Sequence, residues 1–250
     1  MRPLNKDTTK VLVSLTNIDA QSAFNHNIAS TSYVSKDIYR NKEVKKELNE
    51  LYHRKCAYCE DTLLNHFKHI EHYRPKDIYF WLAFSWDNLL LACEYCNVNK
   101  GKKFRIQGTK VNYQNETLQQ VQLITQQYDI VEIPMLLNPE QVLSFAQHFT
   151  FNLNGEIIEI SDKMKYTIET CDLNRIELIE KRYKILKKLK DKLLRRWKNY
   201  DKNKDYNIIQ ALKDLKEDFV EETNETTPFT TWRQFIIENF DNYVKATLKK

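Results

Sequence analysis

The spacing of hydrophobic residues predicts a long amphipathic helix from Leu173 to Trp197. Apolar residues recur there every three or four positions, which is the period of one helix face. This apolar face comprises Ile176, Ile179, Tyr183, Leu186, Leu189, Leu193 and Trp197. The other face is basic and comprises Lys181, Arg182, Lys184, Lys187, Lys188, Lys190, Lys192, Arg195, Arg196 and Lys198. A solvated surface and a contact surface for nucleic acid or a partner protein are both open interpretations of the basic face.

Three further segments have a helical pattern. Residues 35–54 could form a helix that is capped by Ser35 and leads to the first cysteine of the chain. The Gln-rich residues 114–127 also look helical. A last helix over about residues 231–248 would have an apolar side, which comprises Trp232, Phe235, Ile236, Phe240, Tyr243 and Val244.

Short strands are predicted in two places. Residues 68–73 and 88–92 fit a first pair, followed by a helix over about residues 94–102. Strand-like runs also flank Asn154-Gly155, and this dipeptide predicts a β-hairpin with a type I′ turn, because both central residues of that turn need a positive φ.

These elements predict an α+β fold that is mainly helical. We expect an N-terminal arm or cover over residues 1–34, a domain over residues 35–110 that holds the candidate chemistry, and a mostly helical region over residues 111–250 that contains the β-hairpin. The last region could dock a partner or contact nucleic acid.

The composition is that of an ordinary soluble protein. Of 250 residues, 29% are charged and 42% hydrophobic, and the net charge is +5. The three glycines form no glycine-rich phosphate loop, which argues against a nucleotide-driven motor within this chain. Polar residues follow Met1-Arg2, and no stretch approaches about 18 uninterrupted apolar residues. We therefore expect a cytoplasmic protein without a membrane partner.

Two C-x-x-C pairs, Cys56/Cys59 and Cys93/Cys96, predict a zinc site. The two-residue spacing lets both thiolates of a pair reach one ion from a tight turn, and two pairs complete a tetrahedral four-thiolate shell. Such a closed shell leaves no position for water, so the zinc would be structural. A redox pair or chance buried cysteines are the alternatives, which the repeated pair disfavours. Cys171 has no partner in the pattern and is expected to be a small core residue.

Candidate catalytic residues lie between and after the cysteine pairs. Residues 69–76 read HIEHYRPK, residues 88–92 read NLLLA and residues 97–102 read NVNKGK. This sequence resembles the HNH nucleases, whose pattern is an acidic residue or His before a His, then Asn-Leu, then Asn or His nine residues later and Lys three beyond. The residues with this order and spacing are Glu71, His72, Asn88, Leu89, Asn97 and Lys100. The resemblance implies a ββα-metal core.

Phosphodiester hydrolysis suggests a role for each of these residues. His72 is the candidate general base, since imidazole titrates near neutral pH, and Asn88 would hydrogen-bond and orient it. Glu71 and Asn97 would supply hard oxygen ligands to one Mg²⁺ or Mn²⁺ ion, with Asn99 as a weaker alternative. Flanking phosphates would be held by Arg74, Lys76, Lys100, Lys102 and Lys103. Each of these residues, taken alone, could have a purely structural role. Their combined order and spacing favour a catalytic site.

Longer stretches resemble the HNH nucleases of Septu defence systems, the PtuB family, and of related retron systems. They are residues 51–60 (LYHRKCAYCE), 70–76 (IEHYRPK) and 86–93 (WDNLLLAC), and weaker similarity extends the resemblance to about residues 35–200. It implies an antiphage nuclease that acts on nucleic acid with a PtuA-like ABC-type ATPase, or with a retron reverse transcriptase and its RNA–DNA product. Such an ATPase would supply the nucleotide site that this chain lacks.

Two other functions stay open. One is a stand-alone restriction-type or homing HNH nuclease. The other is a zinc-knuckle nucleic-acid-binding module with a vestigial site, against which the intact set Glu71, His72, Asn88 and Asn97 argues. The HNH pattern occurs in enzymes that cut DNA and in enzymes that cut RNA, so it does not identify the nucleic acid that is the substrate.

Overall fold

The computed structural model of the chain describes residues 6–7, 11–34, 37–63, 68–142 and 145–248. Its helices are α1 Val13–Thr16, α2 Ile18–Ser30, α3 Lys42–Leu51, α4 Glu94–Lys100, α5 Thr125–Glu132, α6 Asp162–Cys171, α7 Ile176–Lys202, α8 Ile208–Glu221, α9 Thr230–Glu238 and α10 Phe240–Leu248. Its strands are β1 Lys68–His72, β2 Leu89–Cys93, β3 Phe149–Phe151 and β4 Ile157–Glu159, which form two antiparallel pairs. The prediction of a mainly helical α+β fold is confirmed.

The first hairpin and α4 form one continuous unit. β1 runs antiparallel to β2, with His72 opposite Leu89. The residues from Leu89 to Ala92 are all buried, as expected for an apolar strand covered on both faces. Cys93 then caps α4, because its sulfur accepts the backbone N–H of Cys96 at 3.4 Å. The predicted strands and helix are confirmed to within two residues at each end.

The connection between β1 and β2, residues 73–88, is a largely buried loop. Buried backbone needs internal hydrogen-bond partners. Side-chain amides of Asn27, Asn88 and Gln122 supply them by donating to carbonyl oxygens within the loop. The loop is thereby fixed to α2 and to the segment before α5.

Within the predicted N-terminal arm or cover, residues 13–30 contain α1 and α2. Leu15, Ala20 and Phe24 are buried against the rest of the molecule. The side chain of Asn17 starts α2 by accepting the N–H of Ala20 at 2.9 Å. The sequence pattern did not predict these two helices, because α1 is a single turn and only a narrow face of α2 is buried.

The helix before the first cysteine is shorter than predicted. Ser35 lies outside the described residues, and the N-cap of α3 is Asn41, whose side chain accepts the N–H of Val44 at 3.0 Å. Val44 and Leu48 are fully buried. A 3-10 turn over Asp37–Arg40 precedes the helix.

The helix predicted over residues 114–127 is largely wrong. The helix of this region is α5, Thr125–Glu132, and only a 3-10 turn, Gln120–Leu123, lies before it. Gln122 explains the difference, because its buried amide donates to the Phe84 and Leu118 carbonyls. A polar residue that ties two segments together cannot be distinguished from a solvent-facing helix residue by pattern alone.

The second hairpin, β3–β4, is present, but its predicted type I′ turn is wrong. A five-residue loop, residues 152–156, joins the strands, and of the central pair only Gly155 has a positive φ, +93°. A Cβ atom on Gly155 would lie 2.8 Å from the Ile179 carbonyl oxygen and 2.9 Å from the Tyr183 nitrogen. Glycine is therefore required here for close approach to α7 as well as for the turn.

The buried face of α7 is rotated from the predicted one. Ile176 and Tyr183 are 69% and 44% exposed. Arg182 is buried, and its guanidinium donates to the carbonyls of Gly155 and Leu173. The apolar pattern placed Arg182 on the polar face of the helix. It is buried instead because its guanidinium group donates hydrogen bonds to buried carbonyl oxygens.

The predicted last helix is two helices, α9 and α10, which are separated at Asn239. The Asn239 side chain donates to the Phe235 carbonyl at 2.9 Å, which favours the break. One hydrophobic core runs from α1 to α10. No helix within the described ranges combines the length and apolar character needed to cross a membrane.

Candidate active site and metal centre

The four paired cysteines lie together at the junction of α3, β2 and α4. The Sγ atoms of Cys56, Cys59, Cys93 and Cys96 are all within 4.8 Å of one another, and those of Cys59 and Cys93 are 3.9 Å apart. A tetrahedral ion with Zn–S bonds of about 2.3 Å places its sulfur ligands about 3.8 Å apart. The cluster therefore fits a four-coordinate metal ion.

Backbone hydrogen bonds hold both cysteine turns to the hairpin. The N–H of Ala57 donates to the Leu91 carbonyl at 2.8 Å, and the N–H of Cys56 donates to the Asp61 carbonyl at 3.0 Å. The first pair is thus held against β2, while the second pair begins α4.

Arg175 contacts three of the four sulfurs, and the sequence pattern did not indicate it. Its guanidinium nitrogens lie 3.8 Å from Cys96 Sγ and 3.9 Å from the Sγ atoms of Cys59 and Cys93. It also lies over the Tyr95 ring, 5.2 Å from its centroid. The nearby cysteines raise the pKa of Arg175 against the opposing effect of its burial. A permanent positive charge before α7 therefore faces the thiolates.

A second site lies on the other side of α4. A cavity of about 510 Å³ is lined by three of the proposed catalytic and metal-binding residues, Glu71, His72 and Asn97. Two of the predicted phosphate ligands, Lys76 and Lys102, line it as well. The strand β1 supplies the first two residues, and the first turns of α4 supply Asn97, so the ββα unit itself brings them together.

His72 lies at the inner end of this cavity with one ring nitrogen already engaged. Its Nε2 atom is 3.0 Å from the Ala83 carbonyl oxygen. Since a carbonyl only accepts, Nε2 carries the hydrogen in this contact and Nδ1 keeps its lone pair. Burial is the main cause that lowers the pKa of His72 to about 3, with smaller contributions from Lys76 and Lys100. The ring is therefore neutral at neutral pH, and its free Nδ1 can accept a proton, but the lowered pKa makes it a weaker base than the free imidazole on which the sequence argument relied.

Glu71 is paired with Lys100, which the sequence had placed among the phosphate ligands. Lys100 Nζ lies 2.5 Å from Glu71 Oε1 and donates to the His72 carbonyl at 2.7 Å. Burial raises the pKa of Glu71, and contact with Lys100 opposes that shift. Lys100 is fully buried, so it organises the carboxylate and the strand end rather than contacting a substrate phosphate.

Arg74 is also unavailable to a substrate in this structure. Its side chain is fully buried and pairs with Glu132 at 2.8 Å and with Asp129 at 2.6 Å. Arg74 was expected to contact a substrate phosphate. Two carboxylates of α5, which lies more than 50 residues later in the chain, bind its guanidinium group instead.

Asn88 contacts the loop after β1 and not the His72 ring. The predicted hydrogen bond between the two side chains is absent from the contacts of Asn88, whose amide instead bonds the N–H and carbonyl of Arg74 and the carbonyl of Leu82. These bonds fix the loop immediately before Ala83, whose carbonyl holds the imidazole.

The remaining predicted cations differ in position. Lys76 and Lys102 lie 3.8 Å and 2.6 Å from the carboxylate of Asp77. Lys103 is exposed and does not line the cavity. Among residues that sequence reasoning missed, Tyr39, Arg40 and Lys45 also line the cavity. No spacing rule could identify them, since they precede the motif in an unrelated element.

Comparison with known proteins agrees with this geometry. Residues 56–103 match the HNH endonuclease family. This chain contains an HNH endonuclease domain. The matched residues include both cysteine pairs, Glu71, His72 and Asn97, so the HNH domain contains the cysteine cluster and three of the residues that line the cavity.

Three curated relatives are Septu proteins of Bacillus. The chain is 30% identical over 167 residues to Septu protein PtuB of Bacillus mycoides (strain KBAB4), which covers 60% of this chain and 53% of that protein. It is 43% identical over 60 residues to Septu protein PtuB of Bacillus thuringiensis, 23% of each chain. It is 25% identical over 157 residues to Septu protein PtuA of B. mycoides, 57% of this chain and 20% of that protein. The chain thus spans about half the length of the first relative.

Proposed function

We propose that the protein is a metal-dependent endonuclease that hydrolyses phosphodiester bonds of nucleic acid. The observation that carries the proposal is the single cavity that His72, Glu71 and Asn97 share within the HNH domain. A buried neutral imidazole beside two hard oxygen donors suits hydrolysis of a phosphodiester.

In this proposal His72 is the general base. The Ala83 carbonyl holds Nε2–H, so Nδ1 accepts a proton from the attacking water. The buried Tyr39 ring meets the imidazole edge-on at 4.5 Å between centroids, which limits rotation of the ring. Lys76 and Lys102 position the phosphate at the cavity wall.

Glu71 and Asn97 would hold the catalytic ion. A carboxylate and an amide oxygen are the donors that Mg²⁺ or Mn²⁺ prefers, and Glu71 has a second oxygen besides the one that Lys100 contacts. When bound, the ion would stabilise negative charge on the leaving 3′ oxygen. The HNH resemblance then implies products with a 5′-phosphate and a 3′-hydroxyl.

The cysteine cluster would hold a structural Zn²⁺. Four thiolates leave no open coordination position for water, and their spacing fits this ion. The cluster would join the end of α3 to the start of α4, next to the strand that carries His72.

We further propose an antiphage role with an ATPase partner. Similarity to proteins named PtuB and PtuA of the Septu system supports this role. The match leaves four-fifths of PtuA without a counterpart in this chain, and the chain has no glycine-rich phosphate loop. A PtuA-like ABC-type ATPase would supply nucleotide hydrolysis. A retron reverse transcriptase with its RNA–DNA product is a second candidate, suggested by sequence resemblance alone.

Cleavage by the purified protein tests the function and its context together. Plasmid DNA, single-stranded DNA and bulk RNA would be incubated with Mg²⁺, with Mn²⁺ or with EDTA, each with and without the ATPase partner. Cutting that needs an added ion supports the nuclease, and cutting that also needs the partner favours the complex over a stand-alone enzyme. Binding without cutting in every condition would favour a nucleic-acid-binding module and contradict the proposal.

A further inference from the structure

The cavity around His72 has a wall that lies outside the HNH domain. Tyr39 and Arg40 belong to the 3-10 turn Asp37–Arg40, and Lys45 belongs to α3. All three line the cavity, although their elements end before the matched residues begin. We call these three residues the α3 wall.

The α3 wall packs directly against His72. Tyr39 is 3% exposed and contacts the His72 ring edge-on. The neighbouring Tyr33 ring lies 6.3 Å from that of Tyr39, and the ammonium of Lys76 lies 4.6 Å from the Tyr33 ring centroid. A ring that lies outside the HNH domain therefore packs directly on His72.

The two cations of the α3 wall, Arg40 and Lys45, are available to a ligand. Arg40 pairs with Asp37 at 3.1 Å, but both side chains are more than half exposed, and such a surface pair contributes little. Lys45 has no ion-pair partner within 4 Å among the residues that the structure describes. Arg74 and Lys100, by contrast, are occupied by buried carboxylates.

Positive charge lines the cavity beside His72 from two parts of the chain. Lys76 and Lys102, which Asp77 partly offsets, follow β1 and α4, and Arg40 and Lys45 belong to the α3 wall. A strand that places its scissile phosphate at His72 has further phosphates on both sides of that position. Several cations that line one cavity match such a ligand.

We propose that Arg40 and Lys45 bind backbone phosphates of the nucleic-acid strand next to the scissile bond, in addition to the phosphate contacts proposed for Lys76 and Lys102. This inference rests on the proposed function, because it takes nucleic acid as the ligand. The contact is independent of base sequence, and the arginine fork suits a bidentate phosphate contact.

The test measures binding apart from cleavage. In a full-length His72→Ala background, Arg40→Gln and Lys45→Gln would be combined, and a fluorescein-labelled single-stranded oligonucleotide would be titrated at several salt concentrations. Loss of two phosphate contacts is expected to weaken binding about tenfold or more and to reduce the slope of log K against log salt by about 1.4. The matched control is Lys46→Gln, since Lys46 is on the same helix, lies near Glu50 and does not line the cavity.

The outcomes separate this inference from the nuclease proposal. If the double variant binds with the affinity and salt slope of the Lys46→Gln control, or if the Arg40- and Lys45-containing protein binds no strand, the inference is wrong. If binding falls as expected while the His72-containing protein cuts nothing with any ion, with or without the ATPase partner, the phosphate contacts of the α3 wall stand and the nuclease proposal fails. In a cutting enzyme, the double variant is expected to raise KM more than it lowers kcat.

Discussion

At the residue scale, a backbone carbonyl sets the chemistry of His72. The Ala83 oxygen engages Nε2, which leaves Nδ1 as the basic nitrogen. Asn88 holds the loop that carries this carbonyl. The sequence motif predicts roles for His72 and Asn88, but it could not show that Asn88 bonds backbone atoms of the loop instead of the imidazole.

Arg175 shows where residue-level inference from sequence stops. Arg175 falls within the weaker family resemblance that extends to about residue 200, but that resemblance assigns it no role. Its contacts with three sulfurs depend on α7 beginning beside α4, which only the folded chain specifies. The fold thus adds a charge that compensates the thiolates.

Replacing Arg175 by Ala is expected to speed metal loss. Removal of a charged group that supports metal ligands typically costs about 10- to 100-fold in affinity. Zinc release to a chromophoric chelator would be followed, with Arg195→Ala as the control, since Arg195 bonds only its own helix backbone among the contacts found for it. Arg175→Lys should be intermediate, because it keeps the charge without the fork. Equal release rates for Arg175→Ala and the control would refute this role.

At the element scale, the spacing of hydrophobic residues predicted where helices and strands lie better than it predicted where they end and which face is buried. The β1–β2–α4 unit was predictable because an apolar strand, a cysteine cap and a helix follow one another directly. The face of α7 was not, because buried Arg182 replaces an apolar residue there. The break between α9 and α10 at Asn239 was missed, since the apolar positions keep their period across it.

Gly155 gives a test at this scale. Gly155→Ala is expected to destabilise the protein by about 1–3 kcal/mol, because the added Cβ meets the α7 backbone and the residue holds φ +93°. Urea unfolding at fixed zinc concentration measures the change. The neighbouring Leu153→Ala serves as control, since Leu153 is 50% exposed. A Gly155→Ala protein as stable as the wild type would show that the loop can move away from α7.

At the scale of the whole molecule, buried polar groups join segments that are distant in sequence. Arg74 links the loop after β1 to α5. Lys6 lies 3.2 Å from Glu140, donates to the Leu89 carbonyl and lies 4.0 Å from the centroid of the Trp86 ring. Such links depend on pairs of residues far apart in the chain, so a single sequence could not reveal them.

Lys6→Met is expected to cost about 3–5 kcal/mol of unfolding free energy, because it leaves the Glu140 carboxylate buried without its cation. The double variant Lys6→Met/Glu140→Gln should recover part of the loss, since the remaining side chain is neutral. Urea unfolding of both single variants and the double variant gives the coupling energy. Strictly additive effects would argue against the pair.

The central claim is that His72 is the base of a nuclease site. Its most direct test is the single-turnover cleavage rate of His72→Ala under conditions in which the wild type cuts, with zinc content and thermal stability measured on the same samples. His148→Ala is the control, since His148 bonds Ser161 at a distant hairpin. We expect His72→Ala to lose about 100- to 10,000-fold in rate with its zinc retained, and the control to cut normally. Wild-type cleavage by His72→Ala would contradict the account.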